Sequence, residues 1–393
     1  MRHDGSAAPI DTDGPKPATS GALAAAIRVN DSEGRRARGA QRRVNETSTV
    51  GLIANPASAR DLRRIVAHGG AVTTHDKLNR LQRVLAGLAA TGVRRVIAMP
   101  DRAGITAGLL RLAGAASARA WPALEFVDQP VTHTEADTIG ATRAMVETGV
   151  GAIVVLGGDG TNRVVARESA DVPLVSISTG TNNAFPRPVE PTVAGLAGGL
   201  VARHRCCREA GTYRAKKLVV RCGPDIEDAL VDVAITAADG VGSGAIWDAN
   251  TIHELFLTFA EPDAIGLSAI GAQLQPTTRR EAAGLQLRLD PNASTVVWAP
   301  VGPGLVPPVG VASISTLAID SPVPVAATTG VIAVDGERRL RFGPIATPTV
   351  TLSAAGPAVV DAAETMAHAA ANGLLRTTSS RSTANQTPKG EPT

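Results

Sequence analysis

The sequence predicts a doubly wound parallel α/β domain followed by a mostly antiparallel β-rich domain. Three observations carry this. From Val50 to about Ser178, short apolar runs alternate with segments of helical period, the pattern of βαβ units. One run, AIVVL at 152–156, is apolar at every position, as a parallel strand covered on both faces must be. Beyond about Pro186 the period shortens, and alternating runs sit between Gly and Pro turns.

The elements follow in order. VGLIA (50–54) reads as the first strand. Leu78, Leu81, Val84, Leu85 and Leu88 recur at helical spacing, with Arg80 and Arg83 on the other face. VRRVIAM (93–99) and Leu124 to Val127 are further strands, and Ala136, Ile139, Met145 and Val146 are in phase for a helix. AIVVL is the central strand, and PLVSIS (173–178) comes next. In the β-rich part, LQLRL (285–289), TVVWA (295–299), Val311 to Ile319, TGVIAV (329–334) and VTLSA (350–354) are short strands. An Ala-rich helix from Val359 to Asn372 ends near Gly373 and is expected to pack back on the first domain. The expected organisation is a disordered tail at 1–47, an α/β domain at 48–187, a β-rich domain at 188–355, a C-terminal helix at 356–376 and a second tail at 377–393.

Composition excludes several function classes. The net charge of +3 over 393 residues is too small for a nucleic-acid binder. No run reaches the roughly 18–20 apolar residues of a membrane span. The N-terminus lacks the charged and apolar regions of a secretory signal, and Asp4, Asp11, Asp13 and Glu33 argue against a transit peptide. Three cysteines, Cys206, Cys207 and Cys222, show no disulfide or metal-ligand spacing. They read as reduced thiols of a cytoplasmic protein.

The strongest chemical signal is GGDGT, at 157–161, directly after AIVVL. Ligands of open α/β sheets bind beyond the carboxyl ends of the strands. Gly157, Gly158 and Gly160 carry no Cβ, so backbone amides can approach a phosphate. A helix starting near Thr161 adds free donors and a favourable dipole. A carboxylate beside a phosphate path repels the anion unless it has work there. Asp159 is therefore the candidate general base, or a ligand for Mg²⁺.

GGDGT resembles the shared signature of the NAD kinase and diacylglycerol kinase superfamily. ANPAS (54–58), STGTNNAFP (178–186), VDGE (334–337) and AIWD (245–248) extend the likeness to the ATP-NAD kinase/AcoX group, over roughly residues 50 to 375. The resemblance implies an NAD kinase/diacylglycerol kinase-like fold, ATP with Mg²⁺ (or polyphosphate as donor), and transfer to a hydroxyl. NAD ranks first as acceptor. A lipid, an acetoin-related metabolite or a non-catalytic nucleotide-binding accessory of acetoin catabolism is the alternative. It also admits a homo-oligomer. Asn55 and the loop Thr179, Gly180, Thr181, Asn182 and Asn183 would complete the nucleotide site, with Asp335 and Glu337 as metal ligands. Arg60, Arg63 and Arg64 are candidates to line the phosphate side, with a solvated helix face expected for most of them.

Three departures matter. Ala59 stands where related kinases often carry Gly. In DALVDVAI (228–235), Asp232 keeps an acid for the acceptor, but Val231 stands where NAD kinases carry Asn. Neither a GxxxxGK[ST] loop nor a GxGxxG after the first strand occurs.

Overall fold

The computed structural model of the chain describes residues 47–58, 72–115, 120–180, 183–237 and 248–377. Apart from Thr47 and Thr377, the expected tails lie outside these residues. So do Ala59, Arg60, Arg63, Arg64, Thr181, Asn182, Gly240 to Gly244 and the AIW of AIWD.

The chain opens with β1 (Thr49–Ala54), α1 (Thr74–Ala90), β2 (Arg95–Ala98), α2 (Ile105–Ala113) and β3 (Ala123–Phe126). It continues with α3 (Glu135–Thr148), β4 (Ile153–Gly157), α4 (Asp159–Glu168), β5 (Leu174–Ser178), α5 (Pro191–Arg203) and α6 (Arg205–Gly211). Local chemistry sets several starts. Thr73 and Asp76 form a reciprocal capping box on α1. Glu190 accepts the first amides of α5, with Pro191 in the first turn. Gly149, in the left-handed region at φ 79°, ends α3.

The second half is strand-rich: β6 (Thr212–Arg214), β7 (Lys217–Cys222), β8 (Asp225–Ala229), β9 (Asp232–Thr236) and β10 (Ile252–Leu257). After the short helix α7 (Ser268–Ala272) come β11 (Ala283–Leu289), β12 (Val296–Trp298), β13 (Pro308–Ala318) and β14 (Pro322–Pro324). The chain closes with β15 (Gly330–Val334), β16 (Glu337–Phe342), β17 (Thr349–Ser353), β18 (Ala358–Val360) and α8 (Ala362–Ala371).

The first sheet runs β3-β2-β1-β4-β5-β18-β6. It is parallel from β3 to β18, with β6 antiparallel at its edge. The apolar run of β4 divides by alternation. Val154 and Leu156 pack with α1 and α5, while Ile153 and Val155 face Met145 of α3. Both faces are covered, which is why no polar position interrupts the run. Burying each such side chain contributes about 1.5–3 kcal/mol. The β-rich half forms two antiparallel sheets, β12-β13-β11-β10-β9-β15-β16 and β14-β17-β7-β8.

Two expectations need correction. Val359 does not begin a helix: Ala358–Val360 is a strand, and α8 starts at Ala362 behind the cap Asp361. Two consecutive β-branched valines suit an extended strand better than a helix. In α3 the buried face holds Asp137, Thr138, Ala141, Thr142 and Met145, whereas Ala136 is exposed. Of the expected set Met145 is buried and Ile139 and Val146 are half-buried, while Asp137 is held in the buried face by the Thr132 and His133 amides. No helix among the described residues is long and apolar enough to cross a membrane.

Candidate active site

The chain leaves β1 for β2 on one side and returns to β4 on the other. This reversal opens a crevice at the carboxyl ends of β1 and β4, the usual ligand position in such sheets. Asn55 follows β1, and Gly158 links β4 to α4. Asn55 Nδ2 donates to Thr161 Oγ1 across the crevice at 2.9 Å, and Asn55 Oδ1 accepts from the Ala57 amide at 2.8 Å. Beneath this loop, the buried Lys77 of α1 donates to the carbonyls of Asn55, Pro56 and Ser58 at 3.0, 2.9 and 2.9 Å. An ammonium satisfied by three carbonyls fixes the loop and lends it positive charge. Nothing in the local pattern marks Lys77 beyond its place on an amphipathic helix.

The loop after β5 closes the other wall. Arg80 donates to the Ser178 carbonyl at 2.5 Å, and Asn183 Nδ2 donates to Ser178 Oγ at 2.9 Å. A Cβ on Gly158 would lie 2.7 Å from Asn183 Oδ1, and one on Gly180 2.8 Å from Asn183 Nδ2. A Cβ on Gly157 would meet Thr161 Cβ at 2.6 Å, and one on Gly160 would meet Glu337 Oε1 at 3.1 Å. A side chain at Gly157 would displace Thr161, and one at Gly158, Gly160 or Gly180 would make the ends of Asn183 or Glu337 move. Thr179 Oγ1 is buried and has no hydrogen-bond partner among the described residues. With the amides of the first turn of α4, which have no intrahelical acceptor, these features fit a chain of phosphates.

Asp159 lies in the first turn of α4. Its carboxylate accepts the amides of Ala184 and Phe185 at 3.0 and 2.9 Å. The carbonyls of the same two residues accept from Arg279, that of Phe185 at 2.7 Å. Acid and base thus hold this stretch from its two polar edges. Arg279 is buried, pairs with Glu261 at 2.8 Å and stacks 4.0 Å from the Phe259 ring centroid. Burial opposes ionisation of Glu261, but Arg279 and Arg187 outweigh it and hold its carboxyl below the usual range. Sequence reasoning missed Arg279, which sits in a loop without motif.

The VDGE segment is the hairpin turn between β15 and β16, with Asp335 at φ 49° and Gly336 at φ 75°. Asp335 and Glu337 do not converge on one point. The Asp335 carboxylate turns inward to the amides of Leu230, Val231 and Asp232 at 3.0, 2.8 and 3.4 Å. Burial pushes its pKa up to about 6, Arg163 opposing and Asp159 reinforcing the shift. Glu337 instead accepts from Arg163 at 3.1 Å and Arg339 at 2.7 Å. Arg163 is fully buried and also donates to the Val334 carbonyl at 3.1 Å, tying α4 to β15. Asp232 is buried at the head of β9, and Val231 packs with Phe185, Leu230 and Phe259. Val231 is thus an apolar core residue at the position where an amide donor was expected.

A small cavity behind Phe185 is lined by Tyr213, Leu230, Phe259, Arg279 and Lys216. Lys216 donates to the carbonyls of Thr278 at 3.0 Å and Ala283 at 2.5 Å. Burial lowers its pKa from 10.5 to about 8, with Glu281 and Glu261 opposing. The folded chain therefore gives up this proton more easily than the unfolded one. Its linked stability is absent well below the folded value and accrues as pH rises from about 8 towards 10.5. Thermal melts at about pH 7.5 and 9.5 are expected to show the wild type gaining on Lys216→Met at the higher pH. A constant difference between the two proteins would contradict the buried-lysine reading.

Residues 50–205 match the ATP-NAD kinase N-terminal domain, and residues 216–355 match the acetoin catabolism protein X C-terminal domain. Acetoin catabolism protein X of Cupriavidus necator is 42% identical over 338 residues, covering 83% of this chain and 94% of the relative. Among solved structures, yeast NADH kinase complexed with NADH aligns with TM-score 0.46 at 14% identity, covering 88% of this chain and 91% of that one. A putative diacylglycerol kinase from Bacillus anthracis str. Sterne aligns with TM-score 0.41 at 13% identity, covering 81% and 98%. The chain belongs to the ATP-NAD kinase/acetoin catabolism protein X family.

Proposed function

We propose that the chain is a cytoplasmic phosphotransferase that moves a phosphoryl group from ATP to a hydroxyl of a small acceptor, with NAD ranked first. The observation that carries this reading is a fixed carboxylate, Asp159, at a helix N-terminus beside two glycine-bearing loops. Asn55, Gly157, Gly158, Gly160, Thr161, Thr179, Gly180 and Asn183, with Thr181 and Asn182 of the same loop, would hold the phosphates. The Asp159 carboxylate, held in place by the Ala184 and Phe185 amides, would take the acceptor's hydroxyl proton. Glu337 would hold Mg²⁺, which supplies charge neutralisation when bound. Asp335 supports the 230–232 segment rather than the ion, and Asp232 would face the acceptor side. Positioning provides most of the rate in a loose transition state.

An acetoin-related acceptor is the second reading. It is favoured by Val231, which offers no side-chain amide to NAD, and by the name of the Cupriavidus relative. The test is a panel of NAD, acetoin and diacylglycerol with the full chain, Mg²⁺ and γ-labelled ATP, and polyphosphate as a second donor. Label in NADP supports the first reading, and label on acetoin or a derivative supports the second. ATP binding without transfer to any hydroxyl would overturn both and leave a nucleotide-binding accessory.

A further inference from the structure

Cys206 and Cys207 lie on α6, and His368 lies on α8, far away in sequence. The fold brings Cys206 Sγ, Cys207 Sγ and one ring nitrogen of His368 within 4.8 Å of one another. Cys206 is exposed, His368 half-buried and Cys207 buried, so the group opens to water on one side. The two helices are already locked together. The Asp361 amide and Thr365 Oγ1 both donate to the Gly211 carbonyl, at 2.9 and 3.2 Å. Asn372 shares a 3.4 Å hydrogen bond with His368 Nε2, its polarity set by the ring tautomer. The three donors therefore start from a held geometry.

Core packing accounts for Cys207 alone, since a buried cysteine behaves as a small apolar residue. It does not account for an exposed thiol and an imidazole converging on the same spot. A vicinal disulfide would be strained. Adjacent Cα atoms are about 3.8 Å apart across a trans peptide, whereas disulfides span roughly 4.4–6.8 Å. Two sulfurs and an imidazole nitrogen are the donor set of soft d¹⁰ cations, with sulfur and nitrogen bonds of about 2.3 and 2.0 Å. Such bonds place ligand atoms roughly 3.5–4 Å apart, which small rotamer changes reach from the present separation.

We infer that Cys206, Cys207 and His368 form a binding site for a thiophilic d¹⁰ cation of the zinc class, which clips the C-terminal helix α8 to α6. Binding releases the two thiol protons, leaves a neutral Zn(Cys)₂His centre and keeps a fourth position for water on the exposed side. The site is remote from the phosphate loops. On α6, Arg208 donates to the carbonyl of Gly151, at the amino end of β4. GGDGT begins at the other end of that strand, about 20 Å away by the usual strand rise.

The test uses the reduced, chelator-treated full chain, titrated anaerobically with Zn²⁺ against a colorimetric competitor. One equivalent is expected to bind and to raise the melting temperature. Co²⁺ in its place should give a thiolate-to-metal charge-transfer band. Changes in residues that merely orient ligands cost 10–100-fold in metal affinity, so removing a ligand in Cys206→Ser or His368→Gln should cost at least about 100-fold. Cys222→Ser, which alters the buried thiol of the β-rich half, should bind as the wild type does. Cys206 is exposed, so its variant keeps the test valid even if Cys207→Ser fails to fold. Sub-stoichiometric zinc in the wild type would overturn the assignment, as would equal affinity in the Cys206 and His368 variants. Neither outcome bears on the phosphotransferase reading, which is assayed separately.

Discussion

Asp159→Asn is expected to lower kcat for phosphoryl transfer by about 10²–10⁴-fold, the usual contribution of a positioned general base. The change should also reach the nucleotide. The wild-type carboxylate accepts two amides, from Ala184 and Phe185. Asparagine keeps one oxygen and turns an NH₂ group towards the other amide, so the loop after β5 loses a hydrogen bond of about 0.5–1.5 kcal/mol. A rise in KM for ATP of up to about tenfold should accompany the loss of kcat. Steady-state kinetics and ATP-binding calorimetry separate the two effects. A change in KM alone would make Asp159 a loop support, and unchanged turnover would remove it from the chemistry.

Arg279→Leu should be the most destabilising single change near the site. It strips Glu261 of its buried partner, leaves the Ala184 and Phe185 carbonyls without their donor and removes the stack on Phe259. Breaking a buried ion pair by deleting one partner typically costs about 3–5 kcal/mol. Glu261 retains Arg187 at 2.9 Å, which points to the lower end. A fall in melting temperature of about 5–10 °C is expected by thermal melt or denaturant titration. Arg279→Lys keeps the charge but not the fork geometry and should fall between. A fall below about 1 kcal/mol would show that Arg187 alone satisfies Glu261.

The sequence made some of this legible for a definite reason. Strands such as 152–156 announce themselves because burial on both faces forbids polar residues there. GGDGT and the Asn-Pro segment are local, so their approach to one another follows once β1 and β4 are neighbours. Other features depend on contacts that no local pattern encodes. Val359 pairs with Leu174 across nearly half of the chain. Arg279 and Lys77 act on backbone carbonyls, which carry no sequence signature. Asp335 looks like a ligand in VDGE because the motif does not say which way a carboxylate turns, and the amides of 230–232 decide it. The Cys206, Cys207 and His368 group was invisible for the same reason, one donor lying on the last helix.

Strand β18 has a consequence for how the chain is made. The parallel sheet that carries GGDGT takes an inner strand from residues 358–360, emitted by the ribosome after the whole β-rich half. Until then the outer edge of β5 has no partner, and an unpaired edge invites pairing with another chain. A fragment ending near residue 205 would keep that edge permanently open, so it should self-associate where the full chain does not. The parallel sheet thus reaches its finished form only after residues 358–360 have been made.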